Sequence, residues 1–271
     1  MKAGALASYI PLLLVVALTP AFFAVLDPGF IEPPNYSIFP EEGVGPVLNA
    51  LMWVAATAAF GLLILLLTRR FQDLLRVMMM TVAIYTIFSV SYLYTGGFLA
   101  LLGRVEAILP ILLSAALAGL ALISLLGERS IALYSLLLLA SMTGIGTLFD
   151  FSFGDLTKIV ILVAYALFDL YSVYKGILRE VFADRERAIM IFSPLLVRLG
   201  PLTVGVGDII FYAMMLSFAL QSSPTLFWVA SAALVLGHAL NLMLLSRQRM
   251  IPALPIPVLV TLTTILVLKS I

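Results

Sequence analysis

The sequence predicts an all-α membrane protein of about nine transmembrane helices, N-terminus cytoplasmic and C-terminus outside. Three observations predict it. Of 271 residues, 63% are hydrophobic and only 11% charged, with a mean hydropathy of +1.19; a soluble fold needs many more charges to cover its surface. The apolar residues fall in runs of about 18–22, the length that crosses roughly 30 Å of hydrocarbon as a helix. The basic residues collect between alternate runs, which orients the chain. The short alternating segments of a β-barrel are missing.

The first helix covers about Ala7–Leu26. Met1-Lys2 precedes it with a single basic residue and no small-residue cleavage pattern follows, so it reads as a retained span rather than a signal peptide. A polar loop with Asp27, Glu32, Glu41 and Glu42, and with no basic residue, leads to a second helix over about Val47–Thr68 that stops at Arg69-Arg70. The third helix spans about Leu74–Tyr94 and ends where Gly96-Gly97 suggests a turn. Further helices follow over about Glu106–Leu126, Ser130–Phe149 and Leu156–Tyr174, the last two joined by an acidic turn from Asp150 to Asp155. Lys175–Arg198 is the most charged segment and reads as a cytoplasmic loop, with Arg179–Arg187 as a solvated face. The last three helices run over about Leu199–Leu220, Thr225–Ser246 and Val258–Leu268, and the whole of 1–271 reads as one polytopic membrane domain.

Nine spans place the termini on opposite sides. With the N-terminus inside, twelve Lys and Arg lie on the cytoplasmic side, among them Lys2, Arg69, Arg70, Lys175, Arg198 and Arg247; only Arg104, Lys158 and Lys269 lie outside. That imbalance fixes the orientation. The net charge of +1 offers no footprint for nucleic acid. With no cysteine, thiol catalysis, disulfides and iron–sulfur clusters are excluded, and the lone His238 argues against a histidine metal site.

Two carboxylates break this apolar pattern. Asp169 lies in the last third of the sixth helix, in Phe168-Asp169-Leu170-Tyr171-Ser172-Val173-Tyr174, and Asp208 in the seventh, in Gly205-Val206-Gly207-Asp208-Ile209-Ile210-Phe211-Tyr212. A carboxylate in hydrocarbon costs about 2.5–3.5 kcal/mol on insertion scales, so each marks a functional site. Asp169 is six residues before Lys175 and Asp208 ten after Arg198, which at 1.5 Å per residue puts them about 9 and 15 Å from the inner boundary. Two neighbouring carboxyls share a proton, and such a pair can activate water against an amide carbonyl. Proton or cation translocation uses the same residues. Spacing alone leaves protease and transporter about equally supported.

The surrounding residues narrow the choice. Gly205 and Gly207 allow close backbone approach. Pro252, Pro255 and Pro257 interrupt the chain before the last helix, and irregular backbone at membrane depth is tolerated where it is buried or lines a wet cavity. Phe168-Asp169 with Ser172-Val173-Tyr174, then Gly205-Val206-Gly207-Asp208 with Phe211-Tyr212, then Pro252-Ala253-Leu254, in that order, resembles the presenilin/signal peptide peptidase family. Within it the chain is most similar to archaeal presenilin homologues.

The resemblance implies an intramembrane aspartyl protease that cleaves transmembrane segments of membrane proteins in the cell membrane, without metal or cofactor. It implies Asp169 and Asp208 as the catalytic pair and Pro252-Ala253-Leu254 as an active-site loop. The family's usual Tyr before the first aspartate is Phe168 here, and Tyr165, one turn earlier, is expected to offer a hydroxyl instead. The 175–198 connection lacks the long insert that presenilins cleave in themselves. An active single chain is therefore expected, with no obligatory partner subunits; a homo-oligomer is compatible with the sequence. Ile189–Leu196, ahead of the seventh helix, is expected to be mobile without substrate and to pair with an unwound substrate as a strand, limited by Pro194 to Ile189–Ser193 or to an edge position. His238 and Asn241, three apart on the eighth helix, are expected to hydrogen-bond between helices.

Overall fold

The computed structural model describes residues 7–26, 33–68, 70–103, 108–127, 130–175, 190–199, 203–245 and 252–270. Asp27, Glu32, the run Arg179–Arg187, Ile189 and the basic residues Lys2, Arg69, Arg104, Arg129, Arg247 and Arg249 lie outside them. The helices are α1 (Ile10–Leu26), α2 (Gly45–Thr68), α3 (Gln72–Leu101), α4 (Ile108–Leu126), α5 (Ile131–Ser152), α6 (Asp155–Tyr174), α7 (Val206–Ser222), α8 (Pro224–Leu245) and α9 (Pro255–Lys269). Six of them, α2 to α6 and α8, are long and apolar enough to cross a bilayer; α1, α7 and α9 are apolar but shorter. The protein is an all-α, multi-pass membrane protein. Among the described residues the strands are a two-residue antiparallel pair, β1 (Leu196–Val197) with β2 (Val204–Gly205).

The chain groups into two compact units: Met1–Pro33, Arg76–Phe149 and Phe192–Ser217 in the first, Pro34–Leu75, Asp150–Ile191 and Phe218–Ile271 in the second. In the first, the Tyr94 ring meets Phe22 edge-on at 4.5 Å and its hydroxyl donates to the Gly144 carbonyl at 2.8 Å. Tyr134 donates its hydroxyl to the Pro194 carbonyl, and Ser135 Oγ accepts the Arg198 amide at 3.0 Å. These two bonds tie the segment before α7 to α5. In the second unit, α8 packs on α9, and α2 and α9 pack on α6.

The polar loop before α2 is fastened rather than free. Asn49, fully buried, accepts the amides of Ile38 and Phe39 at 3.0 and 2.9 Å and donates back to the Phe39 carbonyl at 2.9 Å. Glu41 then reaches the start of α6. Its carboxylate accepts the Thr157 amide at 3.2 Å and the Thr157 hydroxyl at 2.6 Å. The N-cap residue Gly154 has no side chain to serve those first-turn amides, so a glutamate from the distant loop caps the helix and adds a negative charge at its positive end. Burial pushes the Glu41 pKa up, but hydrogen bonds from the Thr157 and Ser37 hydroxyls and from the Thr157 and Gly154 amides outweigh it. The carboxyl is held below its ordinary value.

Several expectations are corrected here. The third helix does not turn at Gly96-Gly97; it runs on to Leu101 and stops at Gly103, whose φ of 72° suits a helix end. Breaking a helix within hydrocarbon strands backbone groups at several kcal/mol each, more than the roughly 1 kcal/mol a glycine costs in the helix. The fifth helix continues through Asp150 to Ser152, leaving only Phe153-Gly154 as the turn. Lys158, expected in an outside segment, is buried at 3% exposure and pairs with Asp150 at 3.0 Å and Asp155 at 3.2 Å. Lys269 meets Asp155 at 2.8 Å from the last turn of α9. The ninth helix starts at Pro255 rather than Val258, because first-turn prolines give up amides that have no helical partner anyway.

Candidate active site

The second unit holds Asp169 one turn and a half from the end of α6, half-buried. Pro252-Ala253-Leu254 arrives beside it as irregular backbone and passes directly into α9. The Leu254 amide donates to Asp169 Oδ2 at 3.0 Å, and the Ala253 backbone supplies a second hydrogen bond. Leu254 itself is buried at 5% exposure. Two stretches 83 residues apart in the chain, Asp169 and the start of Pro252-Ala253-Leu254, thus meet through a backbone hydrogen bond that no side-chain pattern specifies. Among the described residues the bonds at Asp169 come from backbone donors, not from a cation.

The first unit holds Asp208, also half-buried, in the first turn of α7. The expected start at Leu199 was seven residues too early. Leu196-Val197 and Val204-Gly205 form the strand pair instead, as the β-branched Val197 and Val204 favour. Asp208 is therefore not ten helical residues deep from Arg198, and the rise-per-residue depth fails for it. It sits instead at the positive end of a helix dipole. Gly205 touches it: a Cβ built there would lie 3.6 Å from Asp208 Oδ2, an ordinary contact. Gly207 faces open space, with nothing within 4 Å of a built Cβ, so neither motif glycine is needed for close helix packing. That role falls to Gly146 on α5, where a Cβ would lie 2.2 Å from the Ile210 carbonyl oxygen. Gly146 seats the first turns of α7 against α5. The Gly144-Ile145-Gly146 spacing was the available signal for it.

Other expected site residues fall elsewhere. The Tyr165 hydroxyl has partners on α2. It shares a hydrogen bond of 2.6 Å with Thr57 Oγ1 and donates to the Trp53 carbonyl at 3.1 Å, both on α2. Phe168 stands at 6.4 Å from the Tyr165 ring, edge-on. Of the stretch expected to pair with substrate, Ile189 lies outside the described residues. Met190–Phe192 are helical and Ser193–Leu195 a 3₁₀ turn with Pro194 near its start; the strand begins only after it, at Leu196. Proline fixes φ at a helical value and favours the first turn, so it ends the helix-like stretch rather than an extended one. Asn241 bonds loop carbonyls rather than a neighbouring helix. At the start of α6, Asp155 is bound by Lys158 and Lys269. Among the described residues no group of three His, Asp or Glu side chains could hold a metal ion.

The fold these elements make is that of the presenilin-type membrane proteases. The crystal structure of a presenilin family intramembrane aspartate protease superposes on the chain with a TM-score of 0.62, covering 96% of each chain at 19% identity. No protein-family model and no curated protein matches the sequence.

Proposed function

We propose that the protein is an intramembrane aspartyl protease, with Asp169 and Asp208 sharing one proton across a bound water. One carboxylate takes a proton from that water as it attacks; the other, protonated, polarises the scissile carbonyl. The products are a carboxylate and an amine, with no covalent intermediate. The observation that carries this reading is the Leu254 amide on Asp169. It joins two motifs that the sequence keeps far apart, in a fold shared along 96% of the chain with an intramembrane aspartate protease.

Substrates are transmembrane segments. Their carbonyls are occupied by helical hydrogen bonds, so a segment must unwind before attack. The strand pair beside Gly205 offers a place for the opened chain: in a two-stranded sheet each strand has an outer edge, and an extended peptide adds to such an edge by main-chain hydrogen bonds. Nine spans with the N-terminus in the cytoplasm, in the cell membrane, and activity as a single chain complete the proposal.

The test is incubation of the purified protein in detergent with a single-span substrate, alongside Asp169→Ala and Asp208→Ala. Fragments cut within the span by the unaltered protein, and none from either variant, are expected. Uncut substrate, together with ion- or proton-coupled flux in liposomes, would replace the protease by a transporter.

A further inference from the structure

We infer that Asn241 on α8 is a positioning residue that aims the Leu254 amide at Asp169; the inference deepens the protease reading and rests on it. Asn241 is buried at 8% exposure. Its Nδ2 donates to the Ala253 carbonyl at 2.7 Å and reaches the Pro252 carbonyl at 3.3 Å. These are the two residues immediately before Leu254, whose amide meets Asp169 Oδ2 at 3.0 Å. Carbonyl and amide belong to one rigid peptide plane, so fixing the Ala253 carbonyl fixes the direction in which the Leu254 N–H points. In a trans peptide the carbonyl and the N–H point in opposite directions within that plane. Asn241 holds one side while Asp169 receives the other.

Two further features argue that the amide is there for this bond and not for packing. The Asn241 Oδ1 atom is buried and accepts no hydrogen bond among the described residues. Such an orphan acceptor costs free energy that an apolar side chain of similar size would avoid. One turn earlier on the same face, Gly237 brings the loop's exit close: a Cβ built there would lie 2.7 Å from Pro257 Cα. Gly237 and Asn241 together make a seat on α8 for the loop and the first turn of α9. The prolines at 252, 255 and 257 cannot donate amides of their own. The stretch therefore has few backbone donors with which to fix itself, and an outside donor takes that task.

The experiment follows hydrogen exchange at the Leu254 amide in the full chain in detergent, with kcat and KM on a single-span substrate. Asn241→Leu and Asn241→Asp both remove the donor, the second with the shape kept; Asn241→Gln keeps an amide one methylene further out. Exchange at Leu254 should rise about tenfold or more in the first two while amides around Leu262 in mid-α9 stay protected. The rate kcat should fall by about 10²-fold with KM nearly unchanged, since misaiming by an ångström acts on the reacting geometry and not on binding. Asn241→Gln should recover part of both. Unchanged Leu254 exchange in Asn241→Asp, or an equal rise throughout α9, overturns the inference. So does a loss in KM alone. If the unaltered protein cuts no substrate, the protease reading fails by itself, and the exchange measurement still decides whether Asn241 aims the loop.

Discussion

The two ends of α6 carry carboxylates in opposite circumstances. At its start, Asp150 and Asp155 are matched by Lys158 and Lys269 at 2.8 to 3.2 Å, Gln221 accepts from Lys158 at 3.1 Å, and both ammonium groups lie over the Phe218 ring. Glu41 completes the cap. Towards its end, Asp169 faces backbone amides of an interrupted loop. A cation pins a carboxylate in its ionised form. Backbone donors orient it without placing a counter-charge beside it. The same helix thus has one end built for cohesion and another suited to chemistry.

The largest expected effect is at the second end. Asp169→Asn or Asp208→Asn should abolish cleavage, a loss of at least about 10⁴-fold, because one carboxyl cannot serve as both acid and base. At the first end the effect should be on stability. Lys158→Met takes the ammonium from the fully buried Asp150 and should cost about 3–5 kcal/mol. Adding Asp150→Asn should return much of that, as read by thermal unfolding in detergent. If Lys158→Met is as stable as the parent, the cluster is not what holds α6, α9 and the end of α5.

Glu41 gives the contrast a pH signature. Its folded pKa lies below the ordinary 4.5. The stability it contributes is therefore full above that ordinary value and is lost as pH falls through the lower folded one. Melting temperature measured from neutral pH down through this window should fall less steeply in Glu41→Gln than in the parent. Equal slopes would show that the cap carries no linked proton. The smallest effect belongs to Gly207, where a methyl meets no neighbour. Gly207→Ala should leave stability within about 1 kcal/mol. A fall in cleavage with stability kept would mean that substrate uses the open space.

The sequence carried the helices well, because an apolar run of bilayer length has one economical conformation. Both aspartates stand out in it too, as isolated carboxylates in such runs, and the catalytic role given to them is a proposal. It was silent wherever a residue's partner lies far along the chain. The burial of Lys158 against Asp150 was not legible, because Asp150 reads as part of a turn. Tyr165 shares a helix turn with Asp169, yet its hydroxyl is taken by Thr57 on α2. Asn241 looked like one more polar residue in a span, and only the fold puts it under the Ala253 carbonyl. The start of α7 was misplaced for a different reason: hydropathy does not distinguish an apolar strand from an apolar helix over a few residues, and Val204-Gly205 is such a stretch.

The division of labour along α6 is tested most directly by measuring cleavage and melting temperature together in two variants. Asp169→Asn should melt at or above the parent temperature and cut nothing. The Asp150→Asn/Lys158→Met double variant should melt lower, yet cut at close to the parent rate wherever it remains folded. Cleavage retained by Asp169→Asn, or lost from the folded double variant, would contradict the account.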